Sequence, residues 1–552
     1  MSCRYVYWAA AILLLSAAYA CYCQAPLIWD GAYQFDMTLA LQRPYVYLTR
    51  FHTFFLWYPT VWASRVTDNV NVLQAVYGLP FLLAPVTGLL LSWWMVRREA
   101  PGLILWVVFG ILTTVGGQIF VINDSFFQLH LFWPLFVAMF VRLTWPQKFI
   151  LGILAVFQFA HPLGVLLMGG TAVAAALVAI VDRENRLRLL GRAGAMFFLC
   201  LLAAAKIVIA NHLPQWTDAY AQDEATWANA VARWRAAVSG TPLRGMVWLW
   251  AAGAATFVQP LLARRRGWAR AAGVIACLCL ARSASYWLFW AHGPVCLWGG
   301  AIDYRRWVGP LAAPFFIFAT AEVILAAVRH RAAGRDQRCA EEFVGSANTA
   351  PTPDAGSNVA ESGSSASLRT GVGGSLPNDE ATFRSDCAFS DTRASDAPSI
   401  RGPLAVLCAL LFAVTLGMQY TTWHQRAMQL MQAVAGYGAV IVPNADPALA
   451  FVDHSPLAHW ATGNYVSAML GKQPAKLFLD EQTEKQIRGK YFDPTIPEAD
   501  RSKMGWSYYA AQPDAPPGPG GWFDFRPALA QAGRESAMPS RREPGKILNG
   551  IP

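Results

Sequence analysis

Runs of about 20 apolar residues recur along this chain, and they constrain its fold more than any other feature. They follow one another from the N-terminus to about residue 328, and one further run covers residues 403–420. A helix of roughly 20 residues crosses the hydrocarbon core of a bilayer. Within that core only helices and closed barrels satisfy every backbone hydrogen bond. The sequence therefore predicts a mainly α, polytopic bundle of transmembrane helices.

The composition agrees with an integral membrane protein. Hydrophobic residues make up 55% of the 552 residues and charged residues only 14%, against roughly 25% charged in average soluble domains. A net charge of +10 can indicate a nucleic-acid partner. Here the basic surplus lies in short loops between apolar runs, where it sets the orientation of helices. We therefore expect the lipid bilayer as a partner and no nucleic acid.

The alternation of basic loops predicts about eleven spans, with the N-terminus inside and the C-terminus outside. The apolar stretch 149–181 is too long for one helix at about 1.5 Å per residue. Because proline ends or kinks a helix, we expect a break at His161-Pro162. Two short spans there also place the next basic loop in the cytoplasm. The first span could instead be a cleaved signal peptide, since Ala18-Tyr19-Ala20 resembles a cleavage site.

Changes in composition divide the chain into parts. Residues 340–400 are rich in Ser, Ala, Gly, Asp and Thr, a composition typical of disorder. The tail has short strand-like runs between helical patterns. We expect a transmembrane domain with a long polar first outer loop, a disordered cytoplasmic linker, a last transmembrane helix and a small extracytoplasmic α/β tail. Their bounds are 1–328 with the loop at 24–71, then 329–402, 403–420 and 421–552.

The first candidate for chemistry is the acidic segment after the first span. Asp30 follows that span directly in the sequence Trp-Asp-Gly-Ala-Tyr-Gln-Phe-Asp, which ends at Asp36. A carboxylate at the membrane boundary can be partly desolvated, which raises its basicity. It can also bind a divalent cation. The alternative is that Asp30 only caps a helix of the loop.

Two further polar clusters are expected on the same outer face. Asn123-Asp124-Ser125 forms a short turn between the third and fourth spans, so Asp124 could meet Asp30 there. Alternatively, Asp124 or its serine neighbour caps the fourth span. Tyr304, Arg305 and Arg306 precede a late span, against the usual bias of basic residues to the cytoplasm. Guanidinium groups there suit a lipid phosphate, or they form a snorkelling pair.

Isolated ionisable residues complete the set of candidates. Arg282 lies inside the ninth span, and an intramembrane arginine is a functional-site hypothesis by default. A structural pairing with a carbonyl or carboxylate is the alternative for Arg282. Four histidines are scattered, and each alone is more typical of a structural role: His52, His130, His161 and His292.

Together these features resemble the GT-C superfamily of multi-spanning glycosyltransferases. The features are an acid directly after the first helix, a long first outer loop, an acidic turn before helix 4, and an Arg/Tyr-x-x-Pro-like start to a late helix. The protein mannosyltransferases and aminoarabinose transferases are relatives of this kind. The resemblance implies a multi-pass protein of a bacterial inner membrane with its active face outside the cytoplasm. It also implies inverting transfer of a sugar from a polyprenyl-phosphate donor to a lipid, glycan or protein acceptor.

Carried over residue by residue, the resemblance implies a role for each outer cluster. Asp30 would be the general base or a metal-linked acid, Asp124 the second acid, and Arg305 or Arg306 the contact to the donor phosphate. In the family the first acid is often followed by another acid, whereas here a glycine follows, which leaves Asp36 as an alternative. A divalent metal ion held by Asp30 and Asp124 is left open.

Two rival functions come from other classes. The first is a transporter or lipid flippase, although transporters often show paired broken helices and this sequence shows one break. The second is a non-catalytic membrane scaffold whose tail binds a partner. A scaffold would leave Arg282 and the outer polar clusters without a shared purpose.

Overall fold

The structure is a computed structural model that describes most of the membrane part and three short segments of the tail. The described residues are 2–28, 30–44, 52–119, 121–212, 241–262, 265–292, 308–347, 400–433, 439–441, 476–478 and 522–524. Within these ranges the chain is mainly helical. The helices are α1 (Cys3–Tyr22), α2 (Asp30–Leu41), α3 (His52–Ala63), α4 (Val70–Val96), α5 (Ile104–Leu112), α6 (Asp124–Ala138), α7 (Trp145–Phe157), α8 (Leu163–Val181), α9 (Arg186–His212), α10 (Thr241–Val258), α11 (Arg266–His292), α12 (Val308–Ala347) and α13 (Arg401–Ala433).

Eight of these helices are long and apolar enough to cross a membrane, namely α1, α4 and α8 to α13. They indicate a multi-pass membrane protein, as the sequence predicts. The other three predicted spans coincide with α5, α6 and α7, which have 9, 15 and 13 residues. Helices α5 and α6 end before their apolar runs do, because turns replace regular helix there. The prediction of eleven crossings therefore rests on eight long helices and three short ones.

The predicted break at His161-Pro162 is confirmed. Helix α7 ends at Phe157 and α8 begins at Leu163. The ammonium of Lys206 donates to the Phe159 carbonyl at 2.6 Å, which satisfies a backbone acceptor exposed by the break. A Cβ on Gly164 would collide with the Gln158 carbonyl. The break is therefore a close-packed turn, with one carbonyl bound by a cation from α9.

Helix α6 forms the centre of the bundle. Every α6 residue except Ser125 is buried, so the helix has no face turned to lipid. Glycines allow its neighbours to approach closely. Gly88 of α4 lies against the backbone of His130, and Gly110 of α5 lies against the ring of Trp133. Small residues at such contacts are typical of membrane helix packing.

Arginines close the C-terminal ends of two helices. Arg192 Nη1 lies 2.7, 3.0 and 2.6 Å from the carbonyl oxygens of Ala138, Met139 and Val141, at the end of α6. Arg331 donates to the Val181 carbonyl, the last of α8. The last carbonyls of a helix have no partner within the helix, and the helix dipole favours a cation there.

One long helix continues into the segment that the sequence assigns to a disordered cytoplasmic linker. Helix α12 continues through Ala347, so residues 329–347 are helical. The physical reason is that this segment is rich in Ala, Arg, Glu and Gln, which are strong helix formers. At the other boundary, Arg401 Nη1 lies 2.6 Å from Glu322 Oε1, and the indole N–H of Trp106 donates to Glu322 Oε2 at 2.6 Å. Residues 348–399 lie outside the described residues, so the disorder predicted for them stays a prediction.

Within residues 24–71 the described part is mainly helical and largely apolar, whereas the sequence predicts a polar outer loop; its place on the outer side stays a prediction. It contains α2, α3 and a 3-10 turn at Ala25–Leu27. Helix α3 has 12 residues and contains no Asp, Glu, Lys or Arg, so it is apolar yet too short to span. In the tail, strands β1 (Ala439–Ile441), β2 (Lys476–Phe478) and β3 (Trp522–Asp524) pair in parallel in the order β2-β1-β3. The α/β tail stays a prediction beyond these strands.

Candidate functional site

The polar turn before α6 places a carboxylate at the start of this central helix. The Asn123 side chain accepts hydrogen bonds from the backbone N–H groups of Ser125 at 3.0 Å and Phe126 at 3.4 Å. Asn123 is therefore the N-cap of α6. Asp124 is the first helical residue. The cap that the sequence offered as an alternative role for Asp124 belongs to its neighbour.

The Asp124 carboxylate meets a histidine from the first outer loop. His52 Nε2 lies 2.6 Å from Asp124 Oδ1. The side chains are 0% and 8% exposed, so the contact is almost completely shielded from solvent. His52 opens α3, 72 positions earlier in the chain. The pair therefore joins the first outer loop to the start of α6.

Aromatic side chains hold the histidine ring. The His52 imidazole stacks on Phe127 with ring centroids 5.8 Å apart and planes 20° apart. Phe127 in turn contacts Phe81 of α4 at 5.0 Å and Phe157 of α7 at 5.9 Å. One turn further along α3, Trp57 also stacks on Phe81. The buried pair thus packs against aromatic side chains from α4, α6 and α7.

The start of α2 lies beside the same turn. A Cβ on Gly31 would collide with the Pro26 carbonyl and lie 3.1 Å from Ile122 Cγ1. Glycine therefore allows the first turn of α2, which begins at Asp30, to lie against the segment just before Asp124. This close approach gives a physical reason for a glycine at this position.

The positions of the predicted acids are known at the level of the backbone. Asp30 and Asp36 both belong to α2, but their side chains lie outside the described residues. Asp30 opens the helix beside Ile122, and Asp36 lies almost two turns further on. The backbone brings Asp30 and Asp124 to one region, and the contact of their carboxylates stays a prediction.

The neighbouring residue of the turn makes a second, weaker pair. Ser125 Oγ lies 3.3 Å from His161 Nε2. His161 Nδ1 accepts the backbone N–H of Leu163 at 3.2 Å, so in a neutral ring Nε2 carries the proton and donates to the serine. Gln128 Nε2 donates to the Gln158 carbonyl at 2.5 Å. The start of α6 is thereby tied to the α7–α8 break as well.

The predicted cationic residues are placed only in part. Tyr304, Arg305 and Arg306 lie outside the described residues. Arg282 is on an exposed face of α11 and donates to the Tyr286 hydroxyl at 3.0 Å. Its guanidinium carbon also lies 4.5 Å from the centre of the Tyr286 ring. Arg282 thus has a partner on its own helix, and its role in binding a substrate stays a prediction.

The described residues contain no group of three His, Cys, Asp or Glu side chains that could hold a metal ion. Asp124 and His52 are a carboxylate and an imidazole, and both are ordinary metal ligands. A third ligand would have to come from a side chain outside those described. The divalent ion therefore stays a prediction.

His52 is the functional candidate that the sequence analysis missed. Its signal was weak but present, since it is the only acid, base or histidine within Phe51–Ala63, an otherwise aromatic and uncharged stretch. A polar ionisable residue at the edge of such a stretch needs a partner when it is buried. Which partner it has could not be read from the sequence, because the acid lies on another loop.

The chain was also compared with known proteins. Comparisons with protein-family profiles, with curated proteins and with solved structures found no significant match to this chain.

Proposed function

We propose that this protein is an inverting membrane glycosyltransferase that moves a sugar from a polyprenyl phosphate to an acceptor outside the cytoplasm. The observation that supports this most is the buried Asp124–His52 pair at the start of α6, beside the first turn of α2, where Asp30 lies. Two outer loops thus contribute ionisable residues to one region at the end of a helical bundle. Ionisable groups that come together from different segments are what an acid–base site needs.

In the proposed reaction the acceptor hydroxyl gives its proton to the Asp30 carboxylate. The acceptor oxygen forms a bond to the anomeric carbon as the bond from that carbon to the phosphate oxygen breaks. Attack from the opposite side inverts the configuration. The polyprenyl phosphate leaves with the bonding electrons, and Arg305 or Arg306, with Tyr304 nearby, binds its charge. Asp124 is the second acid of the site.

Asp36 is the alternative base. It would approach the acceptor from a different face of α2, because the two residues are six positions apart on a helix with 3.6 residues per turn. If a divalent cation takes part, Asp30 and Asp124 would hold it near the leaving phosphate, where it would neutralise charge.

The test is sugar transfer by the purified full-length protein in proteoliposomes. The donors are radiolabelled polyprenyl-phosphate mannose and polyprenyl-phosphate aminoarabinose, and the acceptor is an extract of bacterial envelope lipids and glycans. Asp30→Asn keeps the shape of the side chain and removes its ability to accept a proton. We expect it to lower transfer by at least about 100-fold, the usual contribution of a general base, while donor binding is retained.

The matched control is Asp68→Asn, because Asp68 is an exposed aspartate of the same outer loop. It should transfer sugar at the wild-type rate. Full activity of Asp30→Asn would end the assignment, and a dead Asp36→Asn beside it would move the base to Asp36. Movement of the intact donor across the membrane with no transfer to any acceptor would favour the flippase.

A further inference from the structure

We propose that His52 is the positioning residue of the Asp124 carboxylate, an inference that rests on the proposed function. In this proposal the second acid of the site acts as a pair. The imidazole holds one carboxylate oxygen, and it thereby fixes the plane in which the other oxygen faces the reacting groups.

The first step is that the Asp124 side chain is not used as a helix cap. The Asn123 side chain already accepts the two backbone N–H groups that an N-cap serves. A carboxylate in the first turn of a helix is nevertheless favoured, because the helix dipole is positive there. The N-terminus of α6 therefore favours the ionised form of Asp124 through the helix dipole, while Asn123 provides the cap.

The second step is the geometry of the pair. A distance of 2.6 Å between Nε2 and Oδ1 is short for a nitrogen–oxygen hydrogen bond, as charge-assisted bonds are. With Asp124 ionised, Nε2 carries the proton and donates it to Oδ1. Burial of both groups strengthens the bond, since little water competes for either partner.

The third step is that the imidazole cannot easily turn away. Its ring lies nearly parallel to that of Phe127, which comes from the next turn of α6 and is itself packed against Phe81 and Phe157. Both groups are therefore positioned by α6: Asp124 is part of this helix, and His52 stacks on its Phe127. Rotation of the carboxylate would break the hydrogen bond. The buried imidazole N–H would then face aromatic side chains without this acceptor, which is costly.

The fourth step is the place of the pair. The first turn of α2 packs on Ile122 through Gly31. Ile122 is two residues before Asp124, and the predicted base Asp30 is in that turn of α2. Removing a partner that orients a metal ligand typically costs about 10- to 100-fold in metal affinity or activity, and we expect a loss of similar size for a partner that orients a catalytic acid. His52 has the contacts expected of such a partner.

The experiment compares His52→Ala with His52→Gln in the transfer assay. Glutamine places an amide N–H near the position of Nε2, whereas alanine removes the donor. We expect His52→Ala to lower kcat by about 10- to 100-fold with KM for the donor little changed. His52→Gln should recover most of that loss. His161→Gln is the matched control, because it makes the same change in the histidine that contacts the adjacent Ser125, and it should keep most of the activity.

A second measurement does not depend on turnover. The melting temperatures of His52→Ala, Asp124→Ala and the double variant are compared in detergent, because each single change removes the hydrogen bond. If the pair interacts, the double variant should lose less than the sum of the two single losses. Additive losses would show that the two groups are not coupled, and they would overturn the proposal.

The outcomes separate the two proposals. A wild-type protein that transfers no sugar ends the proposed function and the role of His52 in that reaction together. An active wild type with a fully active His52→Ala overturns the positioning role alone. Equal losses in His52→Ala and His52→Gln also overturn it, because a donor at Nε2 would then be irrelevant.

Discussion

Replacing Arg192 by leucine tests whether a single guanidinium stabilises the C-terminal end of α6. Arg192 Nη1 lies within hydrogen-bond distance of three carbonyl oxygens at the end of α6. One Nη1 carries two hydrogens, so at most two carbonyls are bound at a time. At about 1.5–3 kcal/mol for each bond to a charged group, the gross loss is about 3–6 kcal/mol.

Water recovers part of this loss, because the Arg192 side chain is only partly buried. We expect a net loss of roughly half, about 2–3 kcal/mol. An unfolding entropy of about 2.1 cal/mol/K per residue over 552 residues gives about 1.2 kcal/mol per degree. The melting temperature of the purified protein in detergent should therefore fall by about 2–3 °C.

Arg188 provides the matched control for this measurement. It lies one turn earlier on α9, and its Nε is buried without a hydrogen-bond partner among the described residues. Arg188→Leu therefore removes the same charge but no comparable set of carbonyl contacts. It should shift the melting temperature by less than about 1 °C. Equal shifts for the two variants would show that general burial of charge, and not binding of the α6 carbonyls, determines the effect.

Two further predictions concern the cytoplasmic side and the topology. Deleting residues 351–385 should leave the melting temperature unchanged. The residues that remain between α12 and Arg401 can still span the rise of about 37 Å from Glu322 to the end of α12, so Arg401 can still reach Glu322. Aggregation on size exclusion would contradict this prediction. Maleimide added to intact cells should leave Cys387 unlabelled until the membrane is opened, since the linker is predicted to be cytoplasmic. Cys23, beyond the outer end of α1, should also react slowly even when reached, because burial raises the pKa of its thiol and lowers the thiolate fraction at neutral pH. Labelling of Cys387 from outside would reverse the predicted orientation.

The parts of the fold that could be predicted depend on short-range physics. The break at His161-Pro162 was predictable because a 33-residue apolar stretch cannot be one helix and proline cannot continue it. The extension of α12 through Ala347 does not follow from the average composition of residues 329–402. The helical propensity of its first residues is a local property that the average conceals.

The candidate site shows the same division. Asp124 was predictable, since an acid in a tight outer turn is visible in the sequence. Its partner was not, because His52 reaches it through the packing of α3 on Phe127 and not through any spacing along the chain. The glycine after Asp30 has no evident reason in the sequence, and the contact with Pro26 supplies one.

The complete burial of α6 bears on how the protein is made. A segment of 15 residues that carries Asp124, Gln128 and His130 is a poor candidate to partition into lipid alone, since polar side chains are costly there. Its neighbours α4 and α5 precede it in synthesis and present the glycines against which it packs. We therefore expect α6 to insert into the bilayer together with the already associated helices α4 and α5. Biogenesis of this bundle would then proceed by co-insertion of several helices and not helix by helix.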